Sequence, residues 1–243
     1  MKKIIKYLFL LTGGSFILAS CNDFLDREPL DSVTPDNFFF TENDLAAYAV
    51  KHYNFTTHEG FNAGIWKNDN ATDNQAATDY DKKWIPGQWK VPEAYDNPAS
   101  NDPWYFSAIR EANYFLETVV PRFEKGEIEG SETNIKHYIG EMYFLRAKNY
   151  LSKLETFGDF PIIKNTLPDE SASLIQASKR EPRHKVARFI LEDLDLAIGL
   201  LTNTISGGKN RITKNAALLL KSRAALYEAS WLTYHKGTAL VPG

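Results

Sequence analysis

Four of the five tryptophans, Trp66, Trp84, Trp89 and Trp104, fall within 39 residues that otherwise have the composition of a loop. Trp66, Trp84 and Trp89 are interleaved with Asp69, Asn70, Asp73, Asn74, Gln75, Lys82, Gln88 and Tyr95. That mixture suits a sugar: an indole face packs on the apolar C–H face of a pyranose, while carboxylates, amides and ammonium groups hydrogen-bond its hydroxyls. Trp66, Asp69, Asp73, Lys82, Trp84, Trp89 and Tyr95 are therefore the candidate ligand contacts. The competing reading is that the same indoles pin a long loop onto the body of the protein. Trp104 opens a helical pattern with Tyr105 and Ile109 and is read as core.

Chemistry of other kinds finds little support. Histidines 52, 58, 137, 184 and 235 form no His-x-x-x-His pair and read mostly as surface residues. With one cysteine in the chain, a cysteine-based zinc cluster is excluded. Asp79-Tyr80-Asp81 begins like a calcium loop but lacks the third ligand and the required glycine. Gly207-Gly208-Lys209-Asn210 has neither the spacing nor the final Ser or Thr of a phosphate loop and reads as a turn. No Gly-x-Ser-x-Gly elbow exposes a nucleophile. Asp69, Asp73, Asp79 and Asp81 could pair as a glycosidase does, but nothing fixes the separation that such catalysis needs. No catalytic residue, metal site or cofactor is expected.

The elements that would hold the tryptophan-rich excursion are helical. Thr41 followed by Asp44 has the form of a capping box, with Leu45, Tyr48, Ala49 and Tyr53 at helical spacing, predicting a helix over 41–54. Residues 56–100 are rich in Asn, Asp, Gly and Pro and lose the periodicity. Helical spacing resumes near Asp102, with Ile109, Ala112, Leu116 and Val119 on one face, and is expected to stop before Pro121. A second helix should start near Glu132, carry Ile135, Tyr138, Ile139, Met142, Leu145, Tyr150 and Leu154, and end at Gly158. A proline-bearing connection from Pro161 to Pro182 leads to Val186, Phe189, Ile190, Leu194, Ala197 and Leu201. Thr213 then caps a helix with the stripe Ala217, Leu220, Ala224, Tyr227 and Trp231. Starts near 102, 132, 182 and 213 describe two hairpins of tetratricopeptide length joined by a longer linker, an all-α fold with an irregular insertion. Such hairpins stack into solenoids with polar caps, and none follows Trp231. The sequence is therefore expected to be truncated at its C-terminus, leaving Leu220 and Trp231 on an exposed apolar face.

Residues 1–20 pair a basic start, Lys2, Lys3 and Lys6, with an apolar stretch too short to span a bilayer, which reads as a secretory signal. Leu18-Ala19-Ser20-Cys21 resembles the lipobox of bacterial lipoproteins, and Cys21 is the expected lipidation site, anchoring the body to a membrane without a spanning helix. Residues 21–40 form a tether, and 41–243 the helical domain. Beyond residue 20 the chain has 25 bases against 31 acids, a net charge of −6. An acidic body argues against nucleic acid as a partner.

Several stretches together resemble the SusD/RagB family of outer-membrane nutrient-binding lipoproteins. They are Cys21-Asn22-Asp23-Phe24-Leu25-Asp26 with Pro29; Phe38-Phe39-Phe40-Thr41-Glu42-Asn43-Asp44-Leu45; Trp104-Tyr105 with Ile109-Arg110 and Ala112-Asn113; Gly140-Glu141 and Phe144-Leu145-Arg146-Ala147; Phe157-Gly158-Asp159-Phe160-Pro161; and Arg211-Ile212-Thr213-Lys214 with Ala216-Ala217, Arg223 and Leu226-Tyr227. The resemblance covers the N-terminal part of such proteins. It implies a tetratricopeptide-like scaffold that is not an enzyme, sits surface-exposed at the outer membrane on a SusC-type TonB-dependent transporter, and captures oligosaccharides or another polymeric nutrient. A peptide-binding member of the same scaffold and a general protein-interaction repeat are the alternatives. Phe144, Leu145 and Tyr227 are expected in the core, and Arg146 and Glu141 in scaffold contacts.

Overall fold

The computed structural model describes residues 38–53, 55, 85, 104–205 and 210–241. The chain divides into Met1–Phe38, of which Phe38 alone is described, and a compact unit, Phe39–Gly243. Six helices make up the regular structure of the described residues: α1 (Glu42–Lys51), α2 (Ser107–Lys125), α3 (Glu132–Phe157), α4 (Ser171–Ala177), α5 (Arg183–Leu200) and α6 (Lys214–His235). None is long and apolar enough to cross a membrane.

The first helix starts where its cap requires. Asp44 N donates to Thr41 Oγ1 at 3.3 Å and Thr41 N donates to Asp44 Oδ2 at 3.0 Å, so two otherwise orphaned amides are satisfied reciprocally. The helix ends at Lys51, three residues sooner than its sequence pattern suggests. Just before it, Phe39 has φ +70° and is fully buried between Tyr48, at 5.0 Å, and Phe115, at 5.3 Å. A left-handed backbone is costly for a residue with a Cβ, and here the burial of a whole ring offsets it.

In α2 the residues Ile109, Ala112, Leu116 and Val119 are buried together, as their spacing predicts. The expected stop before Pro121 is wrong: the helix runs through Pro121 to Lys125. Gly126, with φ +72°, ends it instead, donating to Phe123 O while Glu127 N donates to Arg122 O. This paired termination satisfies the last carbonyls, whereas Pro121 forfeits only one amide donor in the helix.

The long helix α3 is the hub and packs against α1, α2, α5 and α6. Every apolar residue assigned to it from periodicity is buried, and so are His137, Gly140, Glu141, Phe144, Arg146, Ala147 and Leu151. Gly140 allows a close approach to the end of α5, because a Cβ there would lie 3.0 Å from the Leu201 side chain.

Between α3 and α5, Phe160 and Glu181 exchange backbone hydrogen bonds of 3.1 Å and close the base of the connection. The connection contains α4, which the proline-bearing sequence did not predict and which buries none of its residues. Helix α5 buries Val186, Phe189, Ile190, Leu194 and Ala197 as expected. Thr213 caps α6 through Ala216 N at 3.2 Å, but of the expected stripe only Ala217 and Ala224 are buried, with Leu220, Tyr227 and Trp231 half-buried.

Candidate functional site

The sequence-predicted contacts Trp66, Asp69, Asp73, Lys82, Trp84, Trp89 and Tyr95, the lipidation candidate Cys21 and the Gly207-Gly208 turn lie outside the described residues. The structure does define what holds the two roots of the 56–103 segment. On the first root, Ile212 N donates to the Tyr53 hydroxyl at 2.9 Å, and the Tyr53 ring meets Phe55 edge-on at 5.4 Å. Burial, more than any charge, pushes the Tyr53 hydroxyl well above its ordinary pKa, so it stays a neutral donor and acceptor. Lys148 of α3 places its ammonium 5.4 Å from the Phe55 ring.

On the second root, half-buried Trp104 lies 4.0 Å from Phe157 and 5.8 Å from Phe160, with the Arg180 guanidinium 4.8 Å from its ring. Phe106 stacks on Phe160 at 5.1 Å. Trp104 is thus a scaffold anchor, which agrees with its reading as core. The two α3 residues receiving the roots, Lys148 and Phe157, are nine positions apart, about 13 Å along a helix axis.

Beside the second root opens a cleft of about 350 Å³. Trp104, Phe106, Ile109, Pro161, Ile163 and Leu174 give it apolar walls, and Arg110, Asn165 and Ser178 contribute polar groups. Such a lining can hold the flat face of a ligand and orient it by its polar groups.

Among the described residues the buried charges are paired. Arg146 donates from Nε and Nη2 to Asp193 at 2.7 and 2.8 Å, and from Nη1 to Asn113 Oδ1 at 2.9 Å. Asn113 in turn donates to Ile163 O at 2.8 Å and Asn165 O at 3.3 Å, tying the cleft's wall to α2 and α3. Burial pushes the Asp193 carboxyl up, while the Arg146 hydrogen bonds pull it back. Arg211 holds Glu141 through two bonds of 2.8 and 2.5 Å, and Arg183 holds Glu228 at 2.7 Å. Thr202 N donates to His137 Nδ1 at 3.2 Å, which leaves Nε2 facing Glu141 at 3.2 Å.

These contacts agree with a scaffold role for Arg146 and Glu141, and Phe144 and Leu145 are core. Tyr227 is only half-buried. The histidine expectation needs correction: His137 is 1% exposed, and the side chain of His52, at 11%, meets Glu111 at 3.2 Å. His137 lies on α3 among its buried residues, and His52 caps the C-terminus of α1 beside Glu111 of α2. Asp193 escaped notice although it lies among Ile190, Leu194 and Ala197, and an acid on an apolar stripe is a signal that a buried cation must face it. Among the described residues no three His, Cys, Asp or Glu side chains group to hold a metal ion.

Comparison with known proteins supplies the family. The chain is 26% identical over 219 residues to SusD-like protein P2 of Formosa agariphila, covering 88% of the chain and 40% of that relative. It is 23% identical over 243 residues to SusD-like protein P25 of the same organism, covering 95% and 44%. The crystal structure of a SusD-like protein from Bacteroides fragilis superposes with a TM-score of 0.57 at 26% identity, over 84% of this chain and 38% of that one. The chain thus spans less than half the length of these relatives. Residues 23–226 match the SusD-like family described as starch-binding and associating with the outer membrane, and the chain belongs to that family.

Proposed function

We propose that this chain serves non-catalytic glycan capture at the bacterial outer membrane, held there by a lipid on Cys21 and passing ligand to a SusC-type TonB-dependent transporter. The observation that carries the reading is the family match over residues 23–226. The geometry agrees with it in one respect: the described residues on either side of the tryptophan-rich segment, Phe55 and Trp104, both lie against α3, beside Lys148 and Phe157. Trp66, Trp84, Trp89 and Tyr95 supply faces for pyranose rings, and Asp69, Asp73 and Lys82 supply hydrogen bonds to hydroxyls. The buried carboxylates Glu141, Asp193 and Glu228 are locked in ion pairs and have no part in ligand chemistry.

Affinity electrophoresis through starch and calorimetry with malto-oligosaccharides test this on the full-length protein. Trp84→Ala or Trp89→Ala should cost about 1–3 kcal/mol of binding with melting unchanged. If all three variants at Trp66, Trp84 and Trp89 lose stability while the folded fraction binds normally, the segment is scaffold and the assigned contacts are wrong. Binding of peptides but not glycans moves the chain to the peptide-capturing alternative. Cys21→Ala should release the protein from membranes and abolish labelling by a fatty-acid analogue.

A further inference from the structure

A second concavity takes Ile162 and Lys164 from the segment that gives Pro161, Ile163 and Asn165 to the aromatic cleft, and its chemistry is of the opposite kind. It measures about 360 Å³ and gathers Lys164, His184, Lys185 and Arg188 around Ile162 and Phe189. Glu192 is its sole acid. Four basic side chains converging on one cleft stand out on a body whose net charge beyond the first twenty residues is −6. Lys185 is paired with Glu181 at 2.8 Å. Neither Arg188 nor His184 has an ion pair among the described residues, and the Lys164 ammonium lies 5.1 Å from the Phe189 ring.

The frame behind these charges is rigid. Ile163 N donates to the Tyr150 hydroxyl at 2.8 Å, that hydroxyl donates to Ile163 O at 3.1 Å, and Lys164 O accepts from Arg146 Nη1 at 3.3 Å. Lys164 therefore projects from backbone fixed by the buried Arg146–Asp193 clamp. His184, Lys185 and Arg188 project from successive turns of α5, whose Phe189 and Ile190 are core. Lys185 is offset by Glu181, and Lys164 also acts on the buried Asp193 carboxyl, so Arg188 with Lys164 is the cationic pair that an anion entering the cleft would meet.

We infer that this cleft binds the acidic substituent of a charged saccharide, a uronate carboxylate or a sulfate ester, with Lys164 and Arg188 as the contacting cations. The ligand class rests on the glycan-capture reading above. A concave site whose lining includes apolar Ile162 and Phe189 beside its cations fits a sugar ring bearing an acid better than a flat anionic membrane surface. Arg188 offers a planar fork that matches carboxylate or sulfate oxygens, and Lys164 a point charge beside it.

The experiment uses the full chain and three oligosaccharides of equal length: neutral, uronate-containing and sulfated. Calorimetry at low and at physiological salt is run on the wild type and on the Lys164→Ala/Arg188→Ala variant, both residues being exposed, with melting temperature as the control for folding. The expected result is tighter binding of at least one acidic oligosaccharide than of the neutral one, weakened by salt. The variant should lose on the order of tenfold in that affinity and leave neutral binding unchanged. Neutral binding without an acidic preference overturns the inference and leaves glycan capture standing. An acidic preference that survives the double substitution places the anion elsewhere and also overturns it. Binding of anionic phospholipid vesicles with no acidic saccharide bound overturns it in favour of a membrane contact, and absence of any binding to the acidic saccharides overturns it outright.

Discussion

Helices α3 and α6 have similar lengths, 26 and 22 residues, and opposite fates. Fourteen residues of α3 are buried, including His137, Glu141 and Arg146, whereas α6 buries Ala217, Ala224 and Glu228 and leaves Leu218, Leu219 and Leu226 at 47%, 73% and 69% exposure. Apolar side chains face solvent on one helix while charged ones are enclosed on the other. Burial here follows from how many elements surround a helix, and the charges of α3 are tolerated because each meets a partner of opposite sign from a neighbouring segment. The expected exposed face of α6 exists, but it consists of Leu218, Leu219 and Leu226; Leu220 and Trp231, expected there, are half-buried, with the Arg183 guanidinium 4.0 Å from the Trp231 ring.

The contrast is broken most forcefully at Arg146. Arg146→Ala should destabilise by about 3–5 kcal/mol in urea unfolding, because buried Asp193 loses the hydrogen-bonded cation that offsets its desolvation. The double change Arg146→Met with Asp193→Leu should recover much of that loss, and failure to do so would mean that the clamp itself, beyond charge neutrality, sets stability. Trp104→Ala follows, at about 2–3 kcal/mol, below the cost of a fully enclosed indole because Trp104 is half-buried. Gly126→Ala should cost about 1 kcal/mol through its left-handed backbone and would confirm that this residue, and not Pro121, ends α2.

A smaller effect is expected in acid. The His52 hydrogen bond, followed by burial acting the other way, leaves the Glu111 carboxyl below its ordinary value of 4.5. A depressed folded-state value means that the stabilisation is present above about pH 4.5 and is lost as the pH falls through the lower folded value. Glu111→Gln should flatten the acid limb of a stability–pH profile, and an unchanged limb would show that the His52–Glu111 contact carries no stability. Last, Leu219→Ser and Leu226→Ser should shift stability by no more than about 0.5 kcal/mol in this chain, as exposed positions do. A larger loss would show that the α6 face is covered.

Periodicity located five of the six described helices, because an amphipathic stripe at three and four residue spacing leaves a mark in any sequence, and the caps Thr41 and Thr213 fixed two of their starts. It overlooked α4, whose seven residues are too short to carry a stripe and bury nothing. It also misjudged the end of α2, since a proline is visible as a letter while a glycine's left-handed conformation depends on what the following amide bonds. The nomination of sugar-facing tryptophans came from residue type and crowding alone, and those residues lie outside the described structure.

The sequence by itself determined the helical class, the order of the hairpins and the family, because these depend on local spacing and on short runs of residues such as Gly140-Glu141 and Phe144-Leu145-Arg146-Ala147. Tertiary structure alone decided which charges are scaffold and which are free. Arg146 and Arg188 look alike in the chain, yet one is buried against Asp193, 47 residues away, and the other stands exposed at the rim of a basic cleft. That distinction rests on desolvation, which depends on the neighbours that folding brings from distant parts of the chain.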